Sequence, residues 1–209
     1  MLLQDFLPRP ALVAKKTEVL KPRFPVIDAH NHLGETFGGG WDNRPVQELI
    51  DVLDEAQVRL MVDLDGGWGE DILYHHLDHF KAAAPERFCI FGGINWDAWA
   101  EQGDHLGEWA AGRLRQQAAR GAQGLKIWKP FGLTVRDQHG ALVAINDPRL
   151  DPIWQTAGEL NLPVIIHVAD PVAFLWPVDN RNERWEELQG HPDWQFTSPA
   201  PGRPPYPSF

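Results

Sequence analysis

"FPVIDAHNHLG", Phe24 to Gly34, closes an apolar run with two histidines one residue apart and then a glycine. Read as a strand, its alternation puts Asp28, His30 and His32 on one face and Ile27 and Ala29 on the other. The same split recurs downstream. Around Leu60 to Leu64, Asp63 and Asp65 alternate with Val62 and Leu64, and in Gly124 to Trp128, Lys126 and Trp128 alternate with Leu125 and Ile127. A doubly wound sheet covered by helices on both sides needs two apolar faces. A parallel barrel packs one face on helices and aims polar side chains into its mouth, so the one-sided polarity selects the barrel.

The rest of the chain repeats a short apolar stretch, a Gly- or Trp-bearing loop and a helical pattern. Strands are expected at Phe24–His30, Leu60–Leu64, Phe88–Ile94, Gly124–Trp128 and Pro163–Val168, at the roughly 30 to 40 residue spacing of βα units. Val46, Leu49, Ile50 and Leu53 mark one helix, and Leu150, Ile153, Trp154 and Ala157 another. Helical patterns also cover Asp71 to Ala84 and His105 to Arg120, the latter with Gly121 placed as a C-cap. The expected class is α/β, about five βα units forming the N-terminal portion of a TIM (β/α)8 barrel. The segments are an N-terminal arm over 1–23, the partial barrel over 24–198 and a proline-rich tail over 199–209.

Composition narrows the function. At 209 residues, 43% hydrophobic and 23% charged, the chain can bury a proper core, and no apolar run is long enough to cross a bilayer. Its start lacks the basic, apolar and small-residue regions of a secretory signal, which points to a cytoplasmic protein. The single cysteine, Cys89, sits in the apolar run "RFCIFGGI" and reads as core. A formal net charge of −10 opposes nucleic-acid backbones, and a small-molecule substrate is the expected partner.

Nine histidines make one His-x-His pair an ordinary event, so position carries the argument. His30 and His32 lie at the C-terminal end of the first strand, where parallel α/β folds collect their ligands, and both point to one side. His167 ends "LPVIIHVAD" at the same rim. Three neutral imidazoles with an open position suit one divalent ion, zinc first, with manganese, iron or cobalt as alternatives. Of the ten tryptophans, Trp41, Trp68, Trp96, Trp128 and Trp176 fall at strand ends and are candidates for lining a pocket, whereas Trp109 and Trp154 fit helix packing. Asp170 and Arg184 are candidate substrate contacts, with Arg181 beside the latter. "HHLDH", His75 to His79, lacks the glutamate of a His-Glu-x-x-His protease and reads as a solvated helix face.

"VIDAHNHLG" and "LPVIIHVADP" resemble the first- and fifth-strand signatures of the amidohydrolase superfamily, most closely the amidohydrolase-related branch that includes aminocarboxymuconate-semialdehyde decarboxylase. The resemblance covers nearly all of the chain after the arm. It implies a metal-dependent hydrolase, or a decarboxylase on the same scaffold, with His30, His32 and His167 as metal ligands. In binuclear members a fourth-strand lysine is carbamylated and bridges two metals, and Lys126 occupies that place; the alternative for Lys126 is a barrel salt bridge to Asp63 or Asp65. Asp28 has two readings, a partner fixing an imidazole tautomer or, better placed for its distance from the rim, a salt bridge at the N-terminal end of the barrel.

The family's sixth-strand histidine and eighth-strand aspartate have no counterpart here, so no general acid or base can be assigned. The expectation is that these groups lie beyond Phe209, in a missing C-terminal segment or a homo-oligomeric partner that completes the barrel. TatD-type phosphodiesterases also carry a first-strand His-x-His, but their third-strand glutamate is replaced by Gly92, Gly93 and Asn95. A truncated half-barrel acting as a binding protein is the non-enzymatic reading.

Overall fold

The structure, a computed structural model, describes residues 1–168 and 170–195, so the tail expected over 199–209 lies outside the described residues. The described chain divides into two compact units. One is Val19–His167; the other joins Met1–Glu18 to the residues from Val168 onward.

The larger unit contains β1 (Val26–Asn31), β2 (Val58–Asp63), β3 (Phe88–Ile90), β4 (Gly92–Gly93), β5 (Leu125–Ile127) and β6 (Val164–Ile166). All pair in parallel, in the orders β1-β2-β3 and β4-β5-β6. β3 and β4 are one strand that changes partner at its middle. Phe91 N donates to Asp63 O of β2 at 2.9 Å, and Gly92 N donates to Gly124 O beside β5 at 3.0 Å. Five parallel strand segments thus follow one another in chain order without reversal, the arrangement of a (β/α)8 barrel arc and not of a doubly wound sheet. The expected fold class is what the chain adopts. The expected third strand, Phe88–Ile94, is present but divided.

Helices α1 (Val46–Glu55), α2 (Glu70–His76), α3 (Trp99–Gln102), α4 (Leu106–Arg120) and α5 (Asp151–Glu159) lie between the strands. In α1 the apolar positions three and four apart bury Leu49 and Leu53. α4 ends at Gly121, whose φ of 116° supplies the left-handed turn that returns its N–H to Ala118 O and Gln117 O. Trp109 and Trp154 pack against the core around Leu114, Leu125 and Ile153, as their helical positions require. Cys89 is half-buried in β3, and burial pushes its thiol pKa up.

The strands nearest the open ends are less covered. Val26 and Ile27 of β1 are 36% and 60% exposed, and Val164 and Ile166 of β6 are 36% and 39% exposed. Among the described residues β1 pairs only with β2 and β6 only with β5. In the smaller unit the arm runs along a later loop, with Leu7 N donating to Asn180 O and Arg9 N to Arg181 O. Its helix α6 (Trp185–Gly190) buries Leu188.

Two glycines set how closely the loop after β2 approaches β4 and β5. A Cβ on Gly93 would overlap the backbone Cα of Gly67, and a Cβ on Gly67 would overlap the Trp128 indole nitrogen. Backbone cannot yield as a flexible side chain can, so Gly93→Ala should destabilise by about 1–3 kcal/mol. Gly112, in α4 with open space around it, is the control, and Gly112→Ala should stabilise by about 1 kcal/mol. Urea unfolding midpoints of the two variants should move in opposite directions; an unchanged midpoint for Gly93→Ala would show that the loop does not press on β4.

Candidate metal centre

β1 delivers His30 at its end, and His32 follows one residue beyond the strand. Their ring centroids are 5.4 Å apart. His32 is fixed from behind: its Nδ1 lies 2.7 Å from Asp65 Oδ1, and Asp65 is 1% exposed. A carboxylate only accepts, so Nδ1 carries the proton and Nε2 keeps the lone pair that a metal requires. Gly34 N also donates to Asp65, at Oδ2 and 2.7 Å, which locks the carboxylate against the turn after β1.

His30 is held in its neutral, ligating form. Burial lowers its pKa first, then the positive charges of Lys126, His32 and His167, with Asp28 opposing them. His167 follows β6, and its N–H donates to Ile127 O at 3.0 Å. Trp128 neighbours two of the imidazoles: its ring stacks on His32 with centroids 5.1 Å apart and lies 6.4 Å from that of His167. His30 and His32 are thus neighbours at one end of the sheet, with Trp128 between His32 and His167. The nitrogens of the three imidazoles are not yet gathered, because among the described residues the one set of three donors within 4.8 Å of one another is Asp63, Asp65 and His76.

Lys126 corrects the sequence reading. It is 1% exposed on β5, and neither Asp63 nor Asp65 pairs with it. Asp63 accepts from His76 and Asp65 from His32, both at 2.7 Å. The Lys126 amine has no hydrogen-bond partner and rests 4.8 Å from the Trp128 ring centroid. Desolvation lowers its pKa from the ordinary lysine value. Asp28 also differs from expectation. It makes no ion pair, accepting instead from the His30 backbone N–H at 3.1 Å and from Asn31 Nδ2 at 2.7 Å. The carboxylate that sets an imidazole tautomer is Asp65.

The candidate pocket tryptophans separate into groups. Trp68 stacks on Trp128 with centroids 4.1 Å apart, and both line a cleft of about 1400 Å³ together with Trp96. Trp41 lies under the Arg44 guanidinium at 3.9 Å and packs on the core near Leu49, which makes it a loop anchor. Asp170, Trp176 and Arg184 belong to the smaller unit, where Arg184 pairs with Glu187 at 3.1 Å.

His76 was hidden inside a run read as solvated. His75 is exposed and His79 bonds to Arg44 O, but His76 is 0% exposed. The signal was present in the spacing: Leu73, His76, Leu77 and Phe80 form one stripe of an amphipathic helix, and all four are buried. A π turn over Leu77–Lys81 follows, and within it Leu77 and Phe80 still face the core.

No family model matches the chain, and no curated protein does. Several solved structures are similar in part. The 2,6-dihydroxybenzoate decarboxylase from Rhizobium aligns over 81% of this chain and 55% of its own, with 16% identity and a TM-score of 0.47. A 5-carboxyvanillate decarboxylase from Novosphingobium aromaticivorans, solved with bound manganese, aligns over 58% of this chain and 34% of its own, with 17% identity and a TM-score of 0.44. An amidohydrolase from Mycobacterium avium subsp. paratuberculosis aligns over 64% and 36%, with 16% identity and a TM-score of 0.45. The chain spans about half or less of the length of these proteins.

Lys126 supplies a direct check on the electrostatics. Because its folded pKa lies below the ordinary lysine value, the unfolded chain binds more protons between the two, and stability should rise with pH across that interval. Lys126→Met removes the uncompensated amine and should stabilise on the order of 1–3 kcal/mol at pH 7, with the margin shrinking as pH approaches the ordinary lysine value. Urea unfolding of both proteins at pH 7 and 9.5 measures this. A variant less stable than wild type by a pH-independent margin would mean that the amine is paired.

Proposed function

We propose that the chain is part of a metal-dependent hydrolase of the amidohydrolase type, acting on a small organic substrate. The observation that carries this reading is the His32–Asp65 pair beside a neutral His30 at the C-terminal end of β1, with His167 at the end of β6. His30, His32 and His167 are the residues that would hold the ion. A divalent ion there supplies Lewis-acid polarisation of a carbonyl or carboxylate and lowers the pKa of a bound water.

The protein's own part is orientation. Asp65 keeps the His32 proton on Nδ1, and Gly34 keeps Asp65 in place. The Trp68–Trp128 stack lies beside His32 and lines the cleft, where a flat or apolar substrate portion would rest. No general acid or base is assigned among the described residues.

Non-oxidative decarboxylation is the second reading. The buried Lys126 amine, whose charge is felt at His30, favours a substrate carrying a carboxylate. The two reactions divide by product, a carboxylic acid from hydrolysis and carbon dioxide from decarboxylation.

Metal content and turnover test the reading together. Protein purified without chelator should carry a divalent metal by plasma mass spectrometry. His30→Ala or Asp65→Asn should lower affinity for that metal by about 10- to 100-fold. Activity on esters, amides or carboxylic acids should vanish with a chelator and return with the metal. Full activity of a chelator-stripped protein, or of the His30→Ala/His32→Ala variant, would contradict the metal mechanism.

A further inference from the structure

Behind His32 the fold buries a second set of donors that the reading above does not use as ligands. Asp63, Asp65 and His76 are 0%, 1% and 0% exposed, and one donor atom of each lies within 4.8 Å of the others. His76 Nδ1 donates to Asp63 Oδ2 at 2.7 Å, so in the neutral ring the lone pair is on Nε2. That nitrogen is sealed from solvent and has no hydrogen-bond partner. Asp42 Oδ2 stands 4.0 Å from it, within reach of an ion pair but not of a hydrogen bond.

Only bare backbone approaches Nε2 from the turn after β1: a Cβ built on Gly34 would lie 3.4 Å from His76 Nε2 and Cε1 and 3.1 Å from Asp65 Oδ2, tighter than an ordinary contact. An imidazole nitrogen and a carboxylate oxygen thus face the same glycine. The surrounding charge is one-sided. Asp63 and Asp65 are deeply buried, Asp42 is half-buried, and Lys126 pairs with none of them. Carboxylates at this depth need counter-charge beyond neutral hydrogen bonds. His76 registers the field: burial pulls its pKa down, but the Asp63 hydrogen bond and the charges of Asp63, Asp65 and Asp42 outweigh it and raise it.

We propose that His76, Asp65 and Asp42 form a second site, for a divalent cation such as Mn²⁺ or Zn²⁺, with Asp63 orienting His76 from behind. An imidazole whose far nitrogen is held by a carboxylate is how protein metal sites fix a histidine ligand. One nitrogen and two carboxylates suit a transition-metal ion better than Mg²⁺ or Ca²⁺, which take oxygen. Asp65 is shared, with Oδ1 on His32 and Oδ2 on the Gly34 N–H beside His76, so this ion would act on the first centre through one side chain.

The test uses the full chain, stripped with a chelator and titrated with Mn²⁺ by calorimetry, with bound metal counted after gel filtration. The His30→Ala/His32→Ala/His167→Ala variant should still bind one equivalent. Adding Asp42→Asn to it should weaken binding at least about tenfold, and adding His76→Gln should remove it. Asp42 is a loop residue, so Asp42→Asn keeps the test alive where His76→Gln fails to fold; circular dichroism melts verify both. A folded triple variant that binds no Mn²⁺ overturns the proposal, and so does binding indifferent to both added substitutions. Nitrogen NMR with excess Zn²⁺ is the independent arm. A His76 ring protonated on both nitrogens at pH 7 would show that a proton is the counter-charge and overturn the site. Wild type binding one equivalent more than the triple variant is the separate signature of the histidine centre.

Discussion

Asp65 is a carboxylate that the fold takes out of water just beyond β2, and two donors from one turn hold it there. The turn after β1 supplies the Gly34 N–H and the His32 ring, each at 2.7 Å, while α2 brings His76 alongside to hold Asp63. Removing either donor to Asp65 would leave a buried carboxylate underpaired, at a cost comparable to a large share of a domain's stability. The constraint runs outward as well. With Asp65 fixed, the His32 tautomer is fixed, and with it the side of the ring offered to a ligand.

The parallel register makes this convergence possible. β1 and β2 pair so that Asn31 lies opposite Asp63, which places the residues just beyond each strand side by side at one end of the sheet. Gly67 and Gly93 then let the loop after β2 close over β5, stacking Trp68 on Trp128 and shutting Lys126 into a space without an acceptor. The result is an uneven distribution of charge. Carboxylates outnumber bases around His76, and bases outnumber carboxylates around His30. Burial lowers the pKa of His30 first and Lys126, His32 and His167 lower it further, whereas at His76 the Asp63 hydrogen bond and the surrounding carboxylates outweigh burial, so the two histidines move in opposite directions.

Much of this was legible in the sequence because it rests on period-two alternation. His30, His32, Asp63 and Lys126 could be placed on one face of a barrel from polarity alone, and the strands formed where apolar runs met glycine-rich loops. Partner choice was not legible. Lys126 and Asp63 looked complementary, yet pairing is set by which side chains the helices bring over the sheet, and α2 brought a histidine. The "HHLDH" run concealed that residue among two that stay at the surface, and only its register with Leu73, Leu77 and Phe80 distinguishes it. Trp41 and Trp96 likewise share a position after a strand. One packs under Arg44 and the other lines the cleft against Phe131, a difference set by loop paths that local pattern does not encode.

The central claim is that Asp65 presents His32, with His30 and His167, to a divalent ion. Crystals grown with Zn²⁺ and measured at the zinc absorption edge test it most directly. The account predicts an anomalous peak within coordination distance of His32 Nε2, His30 and His167, with His32 Nδ1 still on Asp65. A fully occupied crystal-wide search that finds zinc only elsewhere, or His32 turned so that Nδ1 meets the ion and Asp65 is released, would contradict it.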